Sequence, residues 1–169
     1  MIIIFTLIPI ILDFILNLFM PFLLDSLSIF NTSFCIITIF LIYPLFKDNK
    51  NYLIYAFIFG TIYDLLFTGL FMFDGIMFLI LALVTIYINS NFENNSLMNI
   101  LYMMIILFIY FGLYSLMIFI FNVAPVDFNK FIYLFSHNII SNIIYGTIIY
   151  LIVNKLKERK NNKIKLSYN

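Results

Sequence analysis

Charge is what this sequence has little of. Only 10% of the 169 residues are charged, 64% are hydrophobic, and the mean hydropathy is +1.11. Soluble domains run near half apolar and a quarter charged, so polar residues are too few here to cover a globule. That excludes a soluble domain and leaves an integral membrane protein. Cysteine is all but missing. Cys35 stands alone in an apolar run, so neither a disulfide framework nor a cysteine-based metal site can form within one chain. It reads as a small buried hydrophobe. Alanine is scarce as well, with three residues, against an excess of Ile, Asn, Phe, Lys and Tyr. That bias is the mark of an AT-rich genome, so single Asn and Tyr residues carry little meaning. Basic residues are not spread along any face. The net charge is +1 and six of the nine Lys and Arg lie in the last fifteen residues, a pattern that offers no surface to nucleic acid.

What the chain does have is long apolar runs, and a spanning helix needs about 20 such residues. The first, Met1 to about Met20, has no Lys or Arg before it and no A-x-A-like site after it, so it reads as a retained span rather than a cleaved signal peptide. Asp13 and Asn17 share one of its faces, and Pro9 is placed to kink it. A second span runs from about Leu27 to Phe46, ended by the KDNK loop at Lys47 to Lys50. A third covers Tyr52 to about Thr68, and Gly69 to Phe73 form a turn. Asp74 is the expected N-cap of a short fourth span, Gly75 to about Ile88. The fifth is Leu97 to Phe121. After Pro125, with Asp127 as a cap, the sixth runs from Phe131 to about Asn154. The expected architecture is all-α, a polytopic membrane protein with six transmembrane helices in one domain (1–154) and a basic tail (155–169). No internal repeat is evident.

An even number of spans puts both termini on one side. With the termini inside, eight of the nine basic residues are inside and Lys130 alone is outside, as the positive-inside rule requires. The tail is then placed to touch anionic lipid of the bilayer, at about 1 kcal/mol per basic residue near the surface.

One charge breaks the pattern. In AFIFGTIYDLLFTGLFMFDG, Ala56 to Gly75, an aspartate sits inside an apolar run: Asp64, with Gly60 four residues before it and Ala56 four before that. Small residues at this spacing let another helix approach closely. Counted from Tyr52 at 1.5 Å per residue, Asp64 lies ~18 Å into a core ~30 Å thick, in its outer half. A charge there costs roughly 3 kcal/mol on insertion scales. Two readings stand: a functional group, or a hydrogen-bond acceptor that holds the bundle together. The sixth span offers a polar face at matching depth, with His137, Asn138, Ser141, Asn142 and Tyr145, so the third and sixth spans are expected to meet there. His137 reads more readily as a packing donor than as a proton relay or ligand.

Catalytic patterns are thin. The chain holds no H-E-x-x-H, no G-x-S-x-G, no G-K-[ST] loop and no cluster with metal-ligand spacing, so no cofactor or catalytic residue is expected. FNVAPVD (Phe121 to Asp127) is similar to the F-N-x-A-D of lipoprotein signal peptidases, but two residues intervene before the aspartate. Tyr63-Asp64 is similar to part of an intramembrane aspartic protease, without the G-x-G-D that completes the dyad. Six spans in this length also resemble the S components of energy-coupling-factor vitamin transporters, whose A-x-x-x-A docking pattern the first span lacks.

The stretch from Phe57 to Leu83 resembles the rod-shape-determining protein MreD family. Gly60, Asp64, Gly69 and Gly75 match its glycine, its aspartate and the glycines opening the next span. Asn142 in a final apolar helix, followed by a basic tail, matches its end. The resemblance implies a non-enzymatic subunit of the bacterial elongation machinery in the cytoplasmic membrane. Its implied partners are an actin-like MreB filament, a bitopic MreC-like protein and a peptidoglycan polymerase–transpeptidase pair. Ala56, Gly60, Asp64, Gly69, Gly75, His137, Asn138 and Asn142 are then candidates for helix–helix contact rather than for bond chemistry.

Overall fold

The computed structural model describes residues 2–23, 33–68, 72–92, 95–120 and 128–167. Among these, six α-helices follow in order: α1 (Ile2–Leu23), α2 (Phe34–Ile42), α3 (Asn49–Tyr63), α4 (Phe73–Asn91), α5 (Ser96–Ile120) and α6 (Phe128–Ser167). Three stretches are long and apolar enough to cross a membrane by length and composition: Phe73–Asn91, Leu97–Met117 and Asn138–Arg159.

The bundle encloses polar groups within an apolar core and is apolar outside as well. Asp13, Thr38, Asp64, Asp74, Asn138 and Asn142 are all buried to within 1%. Facing outward instead are stripes of isoleucine and leucine at helical spacing, Ile54, Ile58, Ile62 and Leu66 on α3 and Ile140, Ile144, Ile148 and Leu151 on α6. Water would penalise that distribution; a lipid solvent favours it, because apolar side chains lose nothing there and polar groups need partners inside.

At the centre lies α2. All nine of its residues, FCIITIFLI, are buried, as befits a helix apolar on every side. It packs on α1, α4, α5 and α6. It is also short, and here the structure departs from the expected span of Leu27 to Phe46. Ser33 lies outside the helical region, at φ −122° and ψ 42°, and the helix starts at Phe34. At the other end Pro44 lacks the N–H that would continue the ladder. The chain tightens there into a 3-10 turn over Tyr43–Leu45, closed by the Phe46 N–H on the Tyr43 carbonyl at 3.0 Å. Together the two segments rise only ~20 Å, well short of a ~30 Å hydrocarbon core.

Contacts between helices set their directions. Thr6 meets Tyr55 and Phe14 meets Phe67, so α1 and α3 run parallel. Phe59 and Gly60 face Phe78 and Asp74, Phe73 and Phe78 face Tyr114 and Tyr110, and Phe108 and Met103 face Phe135 and Gly146. The series α3 to α6 therefore alternates. Ser33 and Ile37 pair with Asn142 and Gly146, which makes α2 parallel to α6. The start of α1 and the end of α6 lie at the same end of the bundle.

One further expectation is corrected. The N-cap of α4 is Met72, in the left-handed region at φ 62°, and Asp74 is instead a buried residue of the first turn. The helix α6 runs on through residue 155 to Ser167, so the basic residues continue it. Gly69, Asp25 and Asp127 lie outside the described residues, as do the side chains of Asn17, Lys130 and His137.

Candidate functional site: two buried helix starts

A helix leaves the first N–H groups of its backbone without partners, and burying them costs free energy unless something accepts them. The start of α2 is buried, with Ser33 only 4% exposed and Cys35 fully enclosed. Ser33 does not cap its own helix. The acceptors come from elsewhere in the fold. Asp13 of α1 takes the Phe34 N–H on Oδ1 at 3.1 Å and the Cys35 N–H on Oδ2 at 3.0 Å. Asn142 of α6 takes the Ser33 N–H on Oδ1 at 3.3 Å, and the Ile36 N–H reaches the Ser33 carbonyl at 3.2 Å. Every N–H from Ser33 to Ile36 is thereby accounted for. Both oxygens of one carboxyl group sit at the positive end of the α2 dipole, the place where an anionic group is most favourable.

The same corner is stapled to α6. Asn142 donates its amide N–H to the Asn138 carbonyl at 2.8 Å, which turns its oxygen toward Ser33. The Thr38 hydroxyl donates to the Phe34 carbonyl, so the Tyr145 hydroxyl is the donor in its 2.7 Å contact with Thr38. The rings of Phe34 and Tyr145 stack at 4.2 Å. Gly146 lets α6 close on its neighbours: a Cβ there would collide with Met103 Sδ and come within 3.0 Å of Ile37.

The second start is that of α4. Asp64, 1% exposed, stands where α3 widens into a π-helical turn over Asp64–Thr68. Its Oδ2 accepts the Gly75 N–H of α4 at 3.2 Å. The small-residue stripe serves this meeting. At Gly60 a Cβ would lie 2.5 Å from the Asp74 carbonyl oxygen and 2.8 Å from Gly75 Cα, so the two backbones touch at that point. Gly75 answers from the other side, where a Cβ would lie 2.7 Å from Thr61 Cγ2. Ala56, fully buried one turn below Gly60, continues the stripe. Asp74 lies beside Asp64, and its Oδ1 accepts from the Tyr110 hydroxyl of α5 at 3.2 Å. Its Oδ2 is buried with no hydrogen-bond partner among the described residues, and the same holds for both amide atoms of Asn138.

Asp64 thus belongs with α4, not with α6. The expected seam between the third and sixth spans does not form as foreseen, because α3 packs chiefly on α4 while α6 packs on α2 and α5. Counting residues from a span boundary gave no position around the bundle. Reading the sequence also left Asp13, Tyr110 and Gly146 without a role. Only Asp13 carried a signal, as a carboxyl inside an apolar run.

Compared with known protein families, the chain matches the model of the rod shape-determining protein MreD over residues 1–160. The chain belongs to the MreD family. The match takes in all of both helix starts and the apolar part of α6. It makes this a membrane protein of rod-shape determination, from a family that is structural rather than a known family of enzymes. No curated protein and no solved structure matches the chain. Within the MreD family frame, the buried carboxyl groups are read by what they touch: Asp13 joins α1 to α2, Asp64 joins α3 to α4, and Asp74 joins α4 to α5.

Proposed function

We propose that this MreD-family chain is a non-enzymatic subunit of the bacterial cell-elongation complex, with its six helices set in the cytoplasmic membrane, α2 held inside the bundle, and both termini in the cytoplasm. The observation that carries this reading is that each of the three buried aspartates among the described residues joins its own helix to another. Groups spent in this way build a surface for other helices. Contact is then made in two places. In the bilayer, the outward apolar stripes of α3 and α6 meet the transmembrane segments of a MreC-like protein and of a peptidoglycan polymerase–transpeptidase pair. On the cytoplasmic side, α6 extends some 20 Å beyond residue 154 toward a MreB-like filament. The exposed Lys47 and Lys50 lie at the same end of the bundle as the exposed Lys155, Lys157 and Arg159, which supports that sidedness.

Depletion in a rod-shaped host tests the reading. Loss of the chain should round the cells and scatter new wall insertion, and a copy carrying Asp64→Asn should restore the rods far better than Asp64→Leu. Unchanged shape and unchanged insertion sites after depletion would remove the proposal. Equal loss of function for both variants, at normal membrane level, would argue for chemistry at Asp64 rather than a joint.

A further inference from the structure

At the basic end of the bundle, where α2, α4, α5 and α6 converge, lies a cavity of about 100 Å³. Its floor is apolar, with Phe40 and Val153. Its wall carries Asn99, Tyr150, Asn154 and Lys157. Tyr150, Asn154 and Lys157 follow one another on α6 at a spacing that puts them on one face. None of the three makes a hydrogen bond or ion pair with another described residue. Asn99, 3% exposed, gives one amide hydrogen to the Asn95 carbonyl at 3.0 Å and keeps the other. A cation, a hydroxyl and the three amides of Asn89, Asn99 and Asn154 therefore line one space, and the Asn89 amide already donates to the Thr85 carbonyl at 3.0 Å.

Size narrows what fits. The volume is that of about three water molecules, and far below the ~300 Å³ at which pockets for drug-sized ligands begin. A tetrahedral oxyanion is small enough and needs such donors, a lysine acting on it as a point charge. Basic pockets between helices at the cytoplasmic membrane surface hold lipid head groups in this way.

We propose that this cavity binds a phosphate group through Lys157, Asn154, Tyr150 and Asn99, carried by an anionic phospholipid or present as the free anion. The site is independent of which proteins the chain assembles with. The full chain, purified in detergent with phosphatidylcholine and cardiolipin, is to be weighed intact by mass spectrometry. It should retain cardiolipin at least about tenfold more than a Lys157→Gln/Asn154→Leu variant, the loss expected for charge-assisted donors. A Lys155→Gln/Arg159→Gln variant, altered in exposed cations outside the cavity, should retain as much as the unaltered chain. In a second arm, the phosphorus resonance of millimolar inorganic phosphate is followed without lipid. Broadening by the unaltered chain alone, with equal cardiolipin retention, assigns the site to free phosphate. Slow thiol labelling of the buried Cys35 confirms that each variant is folded. Failure of both arms to separate the cavity variant from the unaltered chain overturns the proposal. So does equal loss in the Lys155/Arg159 variant, which would mean diffuse attraction to the tail, or capture of an acidic protein in place of lipid.

Discussion

Two helices of this protein start inside the bundle, and each start is met by a carboxyl group from the helix before it. At α2 the connection is long, 21 and 22 residues from Asp13 to the groups it binds, and the carboxyl uses both oxygens. At α4 it is 11 residues, and Asp64 accepts the Gly75 N–H. The close backbone approach at Gly60 brings α4 to Asp64 without further help. At α2 nothing like a glycine contact exists on the α1 side among the described residues, and Asn142 supplies a third acceptor from α6. The contrast teaches that a buried helix start can be held by hydrogen bonds alone or by hydrogen bonds plus backbone packing. The first kind depends more heavily on its carboxyl group.

That difference orders the expected effects. Asp13→Leu strands two buried N–H groups, each costing about 1–3 kcal/mol, so it should be the most damaging change, roughly 2–6 kcal/mol by reversible unfolding in detergent. A loss no greater than that of Asp64→Leu would break the comparison. Gly60→Ala comes next. Its Cβ meets backbone atoms that cannot step aside, and overpacking of this kind costs about 1–3 kcal/mol or more. Gly112→Ala is the internal control: a Cβ there meets nothing within 4 Å, so replacing a helical glycine should be neutral or stabilise by up to about 1 kcal/mol.

Asp64→Leu strands the Gly75 N–H, for about 1–3 kcal/mol from that bond, whereas Asp64→Asn keeps an acceptor and should cost less than about 1 kcal/mol in the same measurement. The smallest effect is a gain. Met72 holds a left-handed conformation that costs a side chain roughly 1 kcal/mol, so Met72→Gly should raise thermal stability slightly, offset by the extra freedom of the unfolded glycine. A clear loss there would mean that the Met72 side chain packs more than its 39% exposure implies.

How far the sequence foretold this arrangement depends on the kind of information asked of it. Membrane class was legible because composition alone settles the solvent. Asp64 and the Gly60 stripe stood out because a carboxyl and small residues contrast with an Ile- and Phe-rich background. The truncation of α2 was not legible. Asn31, Thr32 and Ser33 do interrupt the run from Leu27 to Phe46, but nothing local shows that Asp13 and Asn142, remote in sequence, accept the N–H groups at the helix start. The partner of Asp64 was misjudged for a related reason: counting residues from the membrane boundary gives height but no direction around the bundle. Gly146 carried no signal, since one glycine in an apolar helix looks like any other until Met103 and Ile37 are seen against it.

The account rests on Asp13 as the group that holds the start of α2, and Cys35 reports on it directly. It is the chain's one cysteine, it is fully buried, and its own N–H is bound to Asp13. The rate at which a small methanethiosulfonate reagent modifies Cys35 in detergent should be very low in the unaltered chain. It should rise modestly in Asp13→Asn and by at least about tenfold in Asp13→Leu, the ratio that corresponds to 1.4 kcal/mol of lost protection. Asp64→Leu should leave it near the unaltered value. Equal protection of Cys35 in the unaltered chain and in Asp13→Leu would contradict the account.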